Sequence, residues 1–359
     1  ILFLTISGNL PVSAGLALAL VGLFTMISNA KRAMLGEALV FSDLALLGAV
    51  FRHPQFYFSA LTRVQMALLA LAAPVVPLLL LAVFVPEPMP HLAGLAAICG
   101  CAIVLCAGLR TKWWSSLARA PESEADVQRH GLIPTLFLYW LRWRKTGDPR
   151  PAAPVGGAAQ DGELAILIQC ESFADPADLF DADAPGEALR LLPGLDAARA
   201  VAWSHGKLEV HGFGAYTMRT EYGVLFGRSE EELGFRRFDP FLTATGEASF
   251  ALPARLNAAG WRSIFVHPHD MRFYNRAGIM TAGGFAELVG EERFAPPGAG
   301  EGRYVTDAAM TDAILRMAQS ADCPTLIYAV TIENHGPWQT GNSGDDAGAE
   351  YLRLLKNGD

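Results

Sequence analysis

Charge is scarce in this chain. Of its 359 residues only 18% are charged while 52% are hydrophobic, and the mean hydropathy is +0.26. An ordinary soluble domain carries about 25% charged residues, so a wholly soluble protein is excluded. Long basic runs are missing and the net charge is −8, which removes nucleic acid from the expected partners. Cysteine is sparse as well: Cys99, Cys101, Cys106, Cys170 and Cys323 are the full set. They offer no zinc-type spacing and no disulfide framework. The first three read as small residues of one membrane segment, and Cys170 and Cys323 as core thiols in or beside strands. An initiator methionine is also lacking. The chain opens in an apolar run, "ILFLTISGNL", and stops at "YLRLLKNGD", which reads as a fragment cut at both ends.

The apolar residues that are present are concentrated in 1–110, read here as transmembrane. Residues 11–28, 65–85 and 91–109 are each about long enough to cross a hydrocarbon core of roughly 30 Å. Residues 1–8 read as the tail of an earlier span. The loop 29–64 mixes apolar stretches with charge and ends in aromatics, the pattern of a segment lying on the bilayer. Within 111–162, "HGLIPTLFLYWLRWRK" (130–145) is too short to span and reads as a second interfacial helix, followed by a Pro/Gly/Ala linker. Lys31, Arg32, Arg52 and Arg63 would draw the long loop to the cytoplasm, and Arg110, Lys112 and Arg119 agree. That count places the globular part on the cytoplasmic side.

Residues 163–359 alternate in a different way. "LAILIQC" is a continuous apolar run, as in a buried parallel strand. "LPARLNAAG" is a short helix with a glycine stop, "RSIFVHP" a strand, "TDAAMTDAILRMAQ" a helix with a Thr/Asp start and "TLIYAVTI" a third strand. This predicts an α/β domain with a mostly parallel central sheet, whose ligand sits beyond the carboxyl ends of the strands. Polar residues fall at those ends: Glu171 after the first, His267, His269 and Asp270 after the second, Glu333, Asn334 and His335 after the third. Singly, each reads as a helix start or a surface histidine. Together they read as a metal-assisted transfer site. The stretch "HGFGAYTMRTEYGVLFG" (211–227) has two readings. Gly212 and Gly214 make a turn and Thr217 caps the following helix, or the glycines admit a substrate to a nucleophilic Thr217 hydroxyl.

"ESF", "FGAYTMRTEYGVLFG", "HPHDMRFYNR" and "NHGPW", in this order behind membrane spans, resemble the lipoteichoic acid synthase and phosphoglycerol transferase family of the alkaline phosphatase/sulfatase superfamily. "KRAMLGEALVFSDLAL" is similar to the segment these proteins carry between spans. The resemblance implies an alkaline phosphatase/sulfatase-like fold with a divalent metal, Mn2+ before Mg2+ or Ca2+. It makes Glu171 and Thr217 metal ligands, and Thr217 the nucleophile. It assigns Tyr274 and Arg276 to a phosphoglycerol headgroup, His335 to the reacting phosphate and His267 to the pocket. It further implies phosphatidylglycerol as donor, an envelope glycan or glycerol polymer as acceptor, and a catalytic domain on the outer or periplasmic side of the inner membrane, against the charge count.

The chain departs from the family twice. Tyr216 stands where some members have lysine, and no Asp-His pair follows His335. Because that pair completes the family's metal site, the chain as it stands is expected to bind metal poorly and be inactive, as a C-terminally truncated domain. Three other readings stay open to different degrees. A sulfatase proper needs a Cys/Ser-x-Pro-x-Arg motif, and neither "CESFA" nor "CPTLI" supplies it. A phosphoethanolamine transferase would share the threonine chemistry, and a non-catalytic relative would lack it.

Overall fold

The computed structural model describes residues 1–46, 63–111, 114–153, 163–175, 192–208, 210, 217–298 and 302–336. Part of the expected interfacial loop (47–62), part of the linker (154–162), the glycine turn with Gly212, Gly214 and Tyr216, and the stretch after Gly336 lie outside these. The chain divides into two compact units. The first is Ile1–Arg150 with His211–Gly223 and Arg228–Gly246, and the second is Pro151–Val210 with Val224–Gly227 and Glu247–Asp359.

The first unit is helical: α1 (Leu2–Ser7), α2 (Leu10–Leu35), α3 (Arg63–Ala82), α4 (Pro88–Leu109), α5 (Ser123–His130) and α6 (Leu132–Lys145). Residues 1–8, expected as the tail of a span, form α1, which Gly8 closes at φ 67°. Asn9 then starts α2 by accepting from the Val12 amide at 3.2 Å. Gly94 of α4 lies so close to α1 that a Cβ there would sit 2.6 Å from the Thr5 hydroxyl. Three helical stretches, Leu10–Ala33, Val64–Ala82 and Pro88–Leu109, are long and apolar enough to cross a membrane, matching the three expected spans.

The Trp- and Arg-rich segment is α6, which buries Thr135, Leu136, Leu138 and Tyr139. Tyr139 packs with Val40, Phe41, Phe235 and Phe238, and its hydroxyl donates to buried Asp126 at 2.7 Å. Burial, and then Asp126, push that phenol far above its usual pKa. Asp239 is buried nearby in sequence. Burial raises its carboxyl to about 7, with Arg219 opposing the shift and Asp43 adding to it.

The second unit carries β1 (Leu164–Gln169) and α7 (Pro193–Val201). Helix α8 (Thr217–Phe226) starts in the first unit and ends in the second. Then come α9 (Leu252–Asn257), β2 (Arg262–Val266), α10 (Arg276–Ala282), β3 (Glu287–Val289), α11 (Asp307–Gln319) and β4 (Thr325–Val330). The sheet order is β1-β4-β2-β3 and each pairing is parallel. All six β4 residues are buried, and Ile327 stands in register with Ile166 and Ile264. Met310 and Ile314, one helical turn apart on α11, pack on Ile264, Val266, Val289 and Ile327. Thr306 starts α11 by accepting from the Ala309 amide at 3.1 Å, as the Thr/Asp signal predicted.

Two expectations need correction. β1 was expected to be buried, yet Leu164, Ile166, Leu167 and Ile168 are 37–48% exposed, because β1 pairs only with β4 among the described strands. For the same reason Cys170 is exposed and not a core thiol, while Cys323 is half-buried. β3 was not anticipated; three residues are too few to show a period.

Ile327→Ala should destabilise the second unit by about 2–5 kcal/mol, the range for emptying a buried aliphatic site; thermal unfolding of the detergent-solubilised protein would read it. Asp239 binds a proton in the folded state up to pH about 7, whereas the unfolded chain releases it near the ordinary value of 3.8. Stability from this group therefore falls as pH rises through that window. Asp239→Asn is expected to flatten the decline in thermal midpoint between those pH values.

Candidate active site

Parallel pairing carries the carboxyl ends of β1, β4 and β2 to one edge of the second unit's sheet, with β4 in the middle. Each strand there hands over to a polar residue. Past β1, Glu171 is buried at 7% exposure, and its amide donates to the Thr331 hydroxyl beyond β4 at 2.9 Å. Ser172 follows at φ 53°, so the chain turns sharply behind the carboxylate. Past β2, the His267 amide donates to Val289 O at 3.0 Å, and its ring is 1% exposed.

The His267 ring has a defined tautomer. Nδ1 lies 3.0 Å from Val330 O, and a carbonyl only accepts, so Nδ1 carries the proton. Burial, then the charge of Arg276, lower the imidazole pKa well below 6.5. The ring is therefore neutral and Nε2 holds a lone pair. Nε2 is buried with no hydrogen-bond partner among the described residues.

The "FYNR" stretch is bent by two consecutive left-handed residues, Tyr274 (φ 56°) and Asn275 (φ 57°). Such backbone costs of order 1–3 kcal/mol per residue and collects at functional sites. The bend delivers Arg276, 2% exposed, to the start of α10, with its guanidinium 5.5 Å from the Tyr274 ring centre. A chain of rings links the strand ends: His267 to His269 at 6.0 Å, His269 to Tyr304 at 5.9 Å and Tyr304 to His335 at 6.2 Å. Burial, with Glu171 nearby, raises the Tyr304 phenol, against the pull of Arg303. The Tyr304 hydroxyl donates to Gly336 O at 3.3 Å.

The second unit thus holds Glu171, His267, Tyr274, Arg276 and His335. Thr217 lies in the first unit and is the first residue of α8. Glu221, one turn further on, is fully buried. Sequence reading missed Tyr304, which stands in "EGRYVTD" without a periodic or motif signal; its one usable hint was the Thr306-Asp307 helix start just behind it. Among the described residues, no group of three or more His, Cys, Asp or Glu side chains is placed to hold a metal ion.

The family model for sulfatases matches residues 163–350, over half of the chain, and the chain belongs to the sulfatase family. Two proteins of Rhizobium meliloti (strain 1021) are similar in sequence. The capsular polysaccharide biosynthesis protein RkpI is 26% identical over 94% of this chain and 66% of its own length. A candidate cyclic β-1,2-glucan modification protein is 25% identical over 53% of this chain and 28% of its own length. The chain therefore spans just under two thirds of the first relative and about a quarter of the second. The crystal structure of the lipoteichoic acid synthase LtaP from Listeria monocytogenes is 17% identical, with a TM-score of 0.42 over 54% of this chain and 49% of that one.

His267 gives a pH signature. The unfolded chain protonates this imidazole as pH falls below 6.5, while the folded protein does not. Stability is then lost toward acid, with a slope of at most about 1.4 kcal/mol per pH unit. His267→Asn keeps a donor for Val330 O and should flatten the thermal midpoint between pH 7 and pH 5; an unchanged slope would assign the effect to another group.

Proposed function

We propose that this chain is the membrane-anchored catalytic part of a transferase that moves phosphoglycerol from phosphatidylglycerol to an envelope saccharide. The observation that carries the reading is the buried, neutral His267 beside the cationic Arg276 at the carboxyl edge of the sheet. Arg276 offers a planar fork suited to phosphate oxygens. His267 Nε2 offers a lone pair, which repels an anionic oxygen and accepts from a hydroxyl. A phosphate next to a neutral polyol fits that pairing. The positive charge of Arg276 disfavours an ammonium group, which sets phosphoethanolamine second.

Thr217 is the proposed nucleophile. At the first position of α8 the helix dipole favours negative charge on its oxygen. Its Oγ1 would bond to the lipid phosphorus, the phosphorus–oxygen bond to diacylglycerol would break, and the leaving oxygen would take a proton. An acceptor hydroxyl would then attack the same phosphorus and release Thr217. His335 is proposed beside the reacting phosphate and Tyr274 against the headgroup. Divalent-metal dependence is typical of the superfamily; Glu171 and Thr217 are the donors this chain is proposed to contribute, and Mn2+ is the proposed ion. The names of the two Rhizobium relatives, concerned with capsular polysaccharide and with a glucan, support a saccharide acceptor. An acceptor of that kind supports placing the domain on the outer face of the inner membrane.

The test is diacylglycerol release by the full-length protein from vesicles of labelled phosphatidylglycerol, with phosphatidylethanolamine vesicles alongside. Thr217→Ala should reduce release more than about a thousandfold, as removal of a nucleophile does. Equal release from phosphatidylethanolamine would favour the second headgroup, and a fully active Thr217→Ala protein would remove Thr217 from the chemistry.

A further inference from the structure

A buried ionic cluster in the first unit joins the end of the first membrane span to the helix that starts at Thr217. The hydrophobic stretch of α2 ends at Ala33. Gly36, left-handed at φ 68°, closes the helix by donating its amide to Arg32 O. The chain then folds back, and the Leu39 amide donates to the Ser28 hydroxyl at 3.1 Å. This turn aims Glu37 inward. Its carboxylate takes both arms of the Arg219 guanidinium at 2.7 and 3.1 Å. Lys31, itself on α2, contacts Glu37 at 2.8 Å and Asp43 at 2.7 Å. Asp43 in turn accepts from the Val40 amide at 2.7 Å. Arg219 also donates twice to Phe238 O, at 3.0 and 2.7 Å. The Lys31 and Arg219 side chains are 7% and 6% exposed, and Glu37 is 16% exposed.

The placement of Arg219 gives the cluster its meaning. It is two residues beyond Thr217, so on a helix the two side chains point to opposite faces. Arg219 therefore grips the first turn from the side away from the Thr217 side chain. A bidentate Arg–carboxylate pair fixes direction as well as distance, and leaving either charge buried alone is strongly unfavourable. Burial alone would push the Glu37 carboxyl up, but Arg219 and Lys31 outweigh it and hold it below the ordinary range.

We propose that Glu37, Lys31 and Arg219 are positioning residues that set the height and orientation of the Thr217 helix relative to the membrane end of α2. This rests on the transferase reading for its catalytic consequence, though not for its structural one. The clamp fixes how far the hydroxyl stands from headgroups that cannot leave the bilayer. A donor free in solution imposes no such height, since it can come to the hydroxyl wherever that sits.

Two variants, Glu37→Gln and Arg219→Lys, test this in the full-length protein in vesicles. Arg219→Lys keeps the charge and loses only the fork. Hydrogen exchange of the Thr217–Phe226 amides should quicken about tenfold or more in both, while the Thr325–Val330 amides stay as in the wild type. Turnover of bilayer phosphatidylglycerol should fall about ten- to a hundredfold, the scale of a small misplacement, with turnover of a monomeric short-chain phosphatidylglycerol nearly unchanged. Unchanged exchange in α8 would overturn the clamp. An equal loss on both donors, or faster exchange throughout the sheet, would reduce the cluster to general stability and overturn its positioning role. A wild-type protein that turns over neither donor would count against the phosphoglycerol reading, and the exchange measurement would still judge the clamp by itself.

Discussion

Parallel strand pairing is the constraint on which the second unit depends. A parallel ladder needs a crossover after every strand, so all chain reversals leave from the same edge. β4 lies between β1 and β2 and is buried throughout, so its neighbours are drawn into register on both sides. Glu171, His267 and His335 are separated by as many as 164 positions, yet they leave from adjacent strands. Their polar groups are tied to β4 or the residues just beyond it: the Glu171 amide to Thr331, the His267 ring to Val330. The apolar ladder thus decides where the polar chemistry collects.

The first unit solves a different problem. A lysine and an arginine are buried there, which is costly unless each is paired and hydrogen-bonded. Each is: Lys31 to two carboxylates, Arg219 to a carboxylate and a carbonyl. These contacts explain why "KRAMLGEALVFSDLAL" mixes charge with apolar residues. Lys31, Glu37 and Asp43 of that stretch face one another, and they recruit a residue 182 positions away from Glu37.

Much of this was legible in the sequence because the signals are local. Spans read from runs of apolar residues, β2 and β4 from β-branched runs, α11 from Thr306, and the strand-end residues from their position after each run. Membership of the sulfatase family agrees with the superfamily that the motifs pointed to. What was not legible depends on contacts far apart in the chain. A continuous apolar run looks the same in a central strand and an edge strand, which hid the exposure of β1. Lys31 read as a charge for a topology count, because nothing in its neighbours reveals that Arg219 shares its carboxylate. Tyr304 acquires its place only when the loop before α11 returns to the strand ends.

The bend at Tyr274 and Asn275 has a consequence for how this protein would respond to selection. Glycine would adopt both left-handed conformations at little steric expense, so a chain optimised for thermal resistance alone would drift toward glycine there. It would give up the ring that stacks beside Arg276 and the stiff backbone that delivers the guanidinium. Heat tolerance and the proposed headgroup recognition would therefore compete at these two positions, and stabilising this scaffold safely means looking for gains elsewhere.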